Sequence, residues 1–158
     1  MDQPGSDELF TSNEVTDPAD YESDFILWID KQVELLRAKK FEQLDLLNVV
    51  EEFDALAKSL RRELSSRLRV LLLHLLKCQY QPENTSGSWL GTITEQRSEI
   101  ASLLEQNPSL KREVSQRAQR SYSAALHGAS VETGLPESTF PSDSPYTAEQ
   151  LLDPRFFP

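Results

Sequence analysis

The stretch DLLNVVEEFDALAKSLRRELSSRLRVLLLHLLKCQYQ, residues 45–81, decides the fold of this chain. It contains no glycine or proline, and its apolar side chains recur at steps of three and four residues, the period of an amphipathic α-helix. The apolar stripe consists of Leu46, Val49, Val50, Phe53, Leu56, Ala57, Leu60, Leu64, Leu68, Leu71, Leu72 and Leu75. Asp45 stands where an N-cap is expected, and Pro82 ends the run. The sequence therefore predicts one long leucine-rich helix.

The length of this helix leaves two arrangements open. A single helix over residues 45–81 would span roughly 55 Å, which is longer than a compact domain of this size requires. In one arrangement the helix is unbroken, and its excess apolar stripe pairs with a partner. In the other it breaks near Lys58–Arg62 and folds back. The uninterrupted period of the apolar residues favours the unbroken helix.

Three further helices are predicted around the long one. The first runs from about Asp20 to Lys39 and the next from about Trp89 to Gln106. The last follows the cap at Asn107-Pro108, runs from about Ser109 to Glu132, and ends before Gly134. The predicted inward side chains are Phe25, Trp28, Ile29, Val33 and Leu36 in the first, Trp89, Ile93, Ile100, Leu103 and Leu104 in the next, and Leu110, Val114, Ala118, Tyr122, Ala125 and Leu126 in the last.

The two ends of the chain differ in composition. Residues 1–19 are acidic and poor in large apolar groups, so we expect a disordered acidic tail. Residues 135–158 are rich in proline but carry many large apolar groups, and Thr147 with Gln150 forms a capping-box pattern. The sequence thus predicts an all-α fold, a helical bundle of four main helices built around one long leucine-rich helix, with a packed proline-rich C-terminal tail. Residues 20–158 are expected to form a single helical domain.

The net charge of −10 is concentrated at the N-terminus. Residues 1–24 hold eight acidic residues and no basic ones, and the other 18 acidic residues nearly balance the 16 basic ones. This balance disfavours nucleic-acid binding through bulk charge. The single cysteine, Cys78, cannot form an internal disulfide, and no signal peptide or membrane span is recognisable. We therefore expect a cytoplasmic protein without membrane contact.

The motifs of most familiar enzyme classes are missing from the sequence. It has no glycine-rich phosphate loop, paired-cysteine motif, nucleophile elbow or His-Glu-x-x-His helix. The two histidines, His74 and His127, are far apart, and we expect neither a metal site nor a cofactor. Cys78 is interpreted as a small buried hydrophobe, and Trp28 and Trp89 as core anchors.

A line of polar residues follows one border of the leucine stripe. At about 100° per residue, Asp45, Glu52, Glu63, Arg67 and His74 fall along this border, which we call the polar seam. The first interpretation is structural: Arg67 pairs with Glu63, and His74 donates to a carboxylate of another helix, for which Glu95 is the candidate.

The second interpretation is catalytic. The spacings Arg67-x6-His74 and Arg69-x4-His74 resemble the signature of HEPN-type helical ribonucleases. In such a site, His74 would act as general base toward a 2′-hydroxyl, and an arginine would stabilise the charge on the phosphorus centre without a metal. The polar residue usual after the arginine is replaced here by Leu68 or Val70.

Several ordered motifs also carry a family resemblance. LDLLNVVEEFDAL, SRLRVLLLHLLKCQYQP, SW, TITEQRSEIASLL with PSL, ETGLP, FP and SPYTAEQLLD follow one another between about Tyr21 and Pro158. This order resembles domain-of-unknown-function family 29, a bacterial family numerous in cyanobacteria. The resemblance implies an α-helical fold. Because the family's name assigns no activity, the function has to be argued from the residues.

These observations favour a non-enzymatic helical interaction or regulatory module that self-associates. The apolar stripe is longer than three shorter helices readily cover, and exposed stripes of that size tend to be interfaces. The expected partners are a second copy, giving a homodimer, and a further protein whose identity the sequence does not give. The alternative is a metal-independent ribonuclease that uses the Arg/His pair.

The acidic tail gives the first prediction. Removal of residues 1–19 is expected to leave the melting temperature nearly unchanged, because no residue of the predicted core is lost. Thermal unfolding of the shortened and full chains checks this. A drop above about 5 °C, roughly 1 kcal/mol, would show that the tail docks on the helices.

Overall fold

The computed structural model describes residues 20–158 and confirms the all-α fold. Its five α-helices are α1 (Phe25–Arg37), α2 (Leu46–Tyr80), α3 (Gly87–Gln106), α4 (Val114–Thr133) and α5 (Ala148–Leu152). Short 3-10 helices lie between them at Phe41–Gln43, Pro82–Asn84, Pro108–Glu113 and Glu137–Thr139, and this range contains no strand. The predicted disordered tail, residues 1–19, lies outside the described residues.

The long helix α2 is unbroken. It continues through Lys58–Arg62, so of the two arrangements left open by the sequence the structure has the continuous one. Asp45 caps its N-terminus as predicted, since its Oδ1 accepts a hydrogen bond from the Asn48 backbone N–H at 3.4 Å. The helix ends at Tyr80, two residues before Pro82. The run without glycine or proline therefore forms one continuous helix, although a compact domain of this size does not require a helix of this length.

The described chain divides into two compact units at residues 55 and 56, within α2. The first unit holds α1 and the first turns of α2. The second holds the rest of α2 together with α3, α4 and α5. The single domain expected from the sequence stays a prediction.

In the first unit, α1 is shorter than predicted and less of it is buried. It begins at Phe25 rather than Asp20, because the Asp24 carboxylate accepts from the first free backbone N–H groups of the helix, those of Ile26 at 3.1 Å and Leu27 at 3.0 Å. Trp28 is buried as expected, but Phe25 and Leu36 are exposed, which corrects the predicted inward face. The second buried residue of α1 is Gln32.

In the second unit, one apolar core joins α2, α3 and α4. The predicted inward residues of α3 and α4 lie in or against this core, where α2 contributes its leucines from Leu64 onward. The inward face of α4 is rich in alanine, and at Gly128 a β-carbon would lie 2.6 Å from Leu73 Cδ1. Small residues on α4 thus let it approach α2 closely. The fully buried residues with large side chains are Leu64, Leu68, Leu71, Leu72, Leu75, Leu76, Ile93, Ile100, Val114, Tyr122 and Leu151.

The start of α4 differs from the prediction. The helix begins at Val114 rather than Ser109, and the preceding turns, Pro108–Glu113, are 3-10. Their i to i+3 pattern starts with the Leu110 N–H, which donates to the Asn107 carbonyl at 3.0 Å. The end agrees with the prediction, since Gly134 terminates α4 in the left-handed conformation at φ 72°.

The C-terminal tail packs on the second unit, as predicted. Phe140, Tyr146 and Leu151 are buried, and Thr147 with Gln150 forms the predicted capping box of α5. The tail is held by Arg97 of α3, whose guanidinium is buried and donates to three backbone carbonyls. The acceptors are Leu151 at 3.0 Å, Phe156 at 2.7 Å and Gln150 at 3.1 Å. We call this contact the Arg97 clamp.

The Arg97 clamp gives a stability prediction. Arg97→Ala is expected to lower the free energy of unfolding by about 3 kcal/mol, because buried carbonyls lose a charged donor. Arg97→Lys should recover only part of it, since a single ammonium lacks the planar fork of the guanidinium. Chemical denaturation measures both. The control is Arg155→Ala, an exposed arginine, with an expected change within about 0.5 kcal/mol. If Arg97→Ala and Arg155→Ala lowered the free energy of unfolding equally, the Arg97 clamp would not stabilise the fold.

Candidate functional site

The N-terminal residue of the polar seam, Asp45, belongs to a network inside the first unit. Its Oδ2 accepts from Trp28 Nε1 at 3.1 Å and from Asn48 Nδ2 at 2.7 Å, while its backbone N–H donates to Gln32 Oε1 at 2.9 Å. The side-chain hydrogen bond from Asn48 is the main cause that lowers the pKa of Asp45. Asp45 therefore fixes the junction between α1 and α2.

Glu52 also bonds within the first unit. Its Oε1 accepts from the Tyr21 hydroxyl at 2.6 Å, and this hydrogen bond is the main cause that raises the pKa of Tyr21 to about 12. The Tyr21 ring in turn meets Trp28 edge-on, with the ring centroids 4.9 Å apart. The hydrogen bond from Tyr21 to Glu52 thus holds the Tyr21 ring in contact with Trp28.

Arg67 and Glu63 pair in the second unit, as the seam suggested. Arg67 Nε and Nη2 donate to Glu63 Oε1 at 3.0 and 2.8 Å, and Nη2 also lies 3.1 Å from Glu99 Oε2 of α3. The carboxylate that reaches the seam from α3 is therefore Glu99. The predicted Glu95 is exposed on another turn of the same helix.

His74 bonds to its own helix. The side chain is half-buried, and Nδ1 lies 3.0 Å from the carbonyl oxygen of Val70, one turn earlier. Because a carbonyl only accepts, Nδ1 carries the proton in this contact. The hydrogen bond suggested between His74 and Glu95 is not formed within residues 20–158, since the ring is satisfied by the nearer carbonyl.

The structure does not bring the arginine and histidine side chains of the catalytic interpretation into contact. Arg67 is held by two carboxylates, Arg69 is exposed, and neither contacts His74 in the described part of the chain. The ribonuclease alternative stays a prediction. His127 is exposed and lies 2.6 Å from Glu137, and no group of three or more potential metal ligands occurs in the range that the structure describes.

Two buried cations were missed by the sequence analysis. Arg97 forms the clamp described above. Lys77 is buried below the Trp89 ring, 4.2 Å from its centroid, and pairs with Glu132 of α4. A signal for Arg97 was present in the sequence, because it lies on the apolar line of α3 four residues after Ile93 and three before Ile100.

The largest unexplained feature is the N-terminal part of the apolar stripe of α2. In the first unit, Leu46, Val50 and Phe53 of this stripe and the adjacent Leu47 form a set that we call the uncovered face. Their side chains are exposed by 63, 52, 65 and 81%, respectively, although Val49 beside them is buried. Ile26, Leu27 and Phe41 of the same unit are exposed as well. Apolar groups at helical spacing without cover form a surface that binds other apolar side chains.

The geometry around His74 gives a prediction on coupling. Arg67 and His74 share no partner, so the destabilisation of Arg67→Ala with His74→Ala should equal the sum of the two single effects within about 0.5 kcal/mol. Each single effect should stay near 1 kcal/mol, because neither side chain is fully buried. Chemical denaturation of the four proteins checks this. A coupling energy well above about 0.5 kcal/mol would show that Arg67 and His74 belong to one network, as the structural interpretation holds.

Comparisons with known proteins assign the family but no activity. No described helix is both long enough and apolar enough to cross a membrane. A search of the curated proteins and one of the solved structures each found no match. A family model matches residues 21–157, nearly the whole chain, which confirms the resemblance seen in the sequence. The chain therefore belongs to the family described as Domain of unknown function DUF29.

Proposed function

We propose that the chain is a non-enzymatic helical interaction module that self-associates through the uncovered face of α2. The observation that carries the proposal is the exposure of Leu46, Leu47, Val50 and Phe53 on a helix whose later leucines are buried. Burial of apolar area is the main favourable term in protein association. A second helix laid along this face would bury these side chains as the leucines from Leu64 onward are buried.

The polar groups support an interaction role over a catalytic one. Asp45, Glu52, Glu63 and Arg67 each bond to a neighbouring side chain, and His74 bonds to a backbone carbonyl. No buried side-chain nitrogen or oxygen in the described residues lacks a partner. Groups engaged in this way position helices.

We further infer that the module works in the bacterial cytoplasm, with a second copy and one further protein as partners. The family resemblance supports the bacterial source. The buried, unpaired thiol of Cys78, whose pKa is raised by burial, is compatible with a reducing compartment. No contribution from membrane or nucleic acid is part of the proposal.

Sedimentation over a range of concentrations tests self-association. We expect a homodimer at micromolar concentration. Phe53→Gln and Leu47→Gln are each expected to weaken it about tenfold or more, because each removes a large apolar side chain from the interface. The matched control is Val131→Gln on α4, an apolar residue that is also 69% exposed, which should dimerise like the parent.

Two results would contradict the proposal. The parent chain could sediment as a monomer at high concentration, or Phe53→Gln and Leu47→Gln could both dimerise as strongly as the parent. The second result would place the interface away from the uncovered face.

A further inference from the structure

A cleft on the second unit opens between α3, the 3-10 turns that follow it and α5, and we call it the α5 cleft. Its volume is about 400 Å³, within the range of small-molecule sites in proteins. Its apolar lining consists of Ala101, Leu104, Pro108 and Leu152, of which Leu104 is buried and Leu152 half-buried. All the residues that line it belong to the second unit, so the cleft is complete within that unit. An apolar group in the cleft would be partly removed from water.

Arg97 also lines the α5 cleft, and its buried side chain forms no ion pair within residues 20–158. Three of the five N–H groups of its guanidinium donate to the carbonyls of the Arg97 clamp, which leaves two without an acceptor in this range. The carboxylate of Asp153, which acts on Arg97 through space, accepts from the Arg155 backbone N–H at 2.9 Å instead. Burial lowers the pKa of Arg97, because it penalises the charged form. An anion beside Arg97 would therefore stabilise its charge.

The edge of the α5 cleft is basic. Lys111 lines the cleft and is exposed, and it forms no ion pair in the part of the chain that the structure describes. A second hollow of about 470 Å³ shares Pro108 and Lys111 with the cleft and adds Arg112, which is exposed as well. The acidic residue of the cleft lining is Glu105. Arg97 and Lys111 against Glu105 give the lining of the α5 cleft one net positive charge.

We propose that the α5 cleft binds a small organic monocarboxylate. Arg97 and Lys111 hold the carboxylate, and Leu104 and Leu152 pack against its apolar body. One negative charge balances the one net positive charge of the lining, and hydrogen bonds from cationic donors to a carboxylate are stronger than those between neutral groups. Inorganic phosphate, which has no apolar body, would leave the apolar lining in contact with water. The proposal does not depend on the proposed function, because no residue of the uncovered face lines the cleft.

Titration calorimetry of the full chain with octanoate tests the proposal. Octanoate combines one carboxylate with an apolar chain. We expect saturable binding with a dissociation constant of about 1 mM, which is in the range open to a ligand of about ten non-hydrogen atoms. Octanamide has the same apolar chain without the charge. It should bind about tenfold more weakly, because Arg97 and Lys111 lose a charged acceptor.

Two variants with matched controls locate the site. Ala101→Trp places a large side chain in the α5 cleft and should weaken octanoate binding about tenfold or more, because the indole occupies the place of the ligand. Ala124→Trp, at an exposed position of α4 outside the cleft, should bind octanoate like the parent. Lys111→Gln removes one exposed charge and should weaken binding about threefold, whereas Lys58→Gln on α2 should leave it unchanged. All four positions are exposed, and circular dichroism checks that each variant keeps its helices.

Each outcome decides for or against the α5 cleft. Octanoate binding that is weakened by Ala101→Trp and Lys111→Gln, but not by their controls, supports the proposal. The absence of saturable binding up to about 10 mM contradicts it. Equal binding of octanamide and octanoate would show that the carboxylate is not recognised, which also contradicts it. If Phe53→Gln weakens octanoate binding and Ala101→Trp does not, the ligand binds at the uncovered face, and the α5 cleft is not the site.

Discussion

The structure depends on the continuity of α2. A helix of 35 residues without glycine or proline presents one unbroken line of apolar side chains, and every part of that line needs cover. In the second unit α3, α4 and the C-terminal tail cover the line from Leu64 onward. In the first unit Val49 is buried, but Val50 and Phe53 are exposed. The helix is therefore continuous, but its apolar side is covered only along its later part. The proposed binding role rests on the uncovered part.

The parts of the fold that sequence reasoning predicted share one property. Each depends on a local pattern, such as the period of the leucines, the N-cap at Asp45, the left-handed Gly134 or the capping box at Thr147. Local patterns act through neighbouring backbone groups, and a sequence read in order contains those neighbours. For the same reason α2 was expected in nearly its observed bounds. Periodicity shows which residues share a helix face, but whether another element covers that face is not local, and Phe25 and Leu36 were predicted inward and are exposed.

The contacts of the candidate site were harder to predict because they join distant segments. Arg67 reaches Glu99 rather than Glu95, and a choice between carboxylates one turn apart depends on how α3 is shifted along α2. Arg97 stood on the apolar line of α3, but its acceptors are backbone carbonyls, which carry no side-chain signature in the sequence. His74 forms a hydrogen bond with the carbonyl of Val70, because a helix always places the carbonyl of the residue four positions earlier within reach of a side chain.

The Arg97 clamp joins two segments that are made at different times during synthesis. Residue 97 emerges from the ribosome more than fifty positions before its acceptors at Gln150, Leu151 and Phe156, and folding begins before synthesis ends. Until those carbonyls exist, the guanidinium has no backbone partner on that side of α3 and stays hydrated. The apolar line of α3 is thus interrupted by a charged, wetted group throughout elongation. The clamp can therefore form only after the C-terminal tail up to Phe156 has been synthesised.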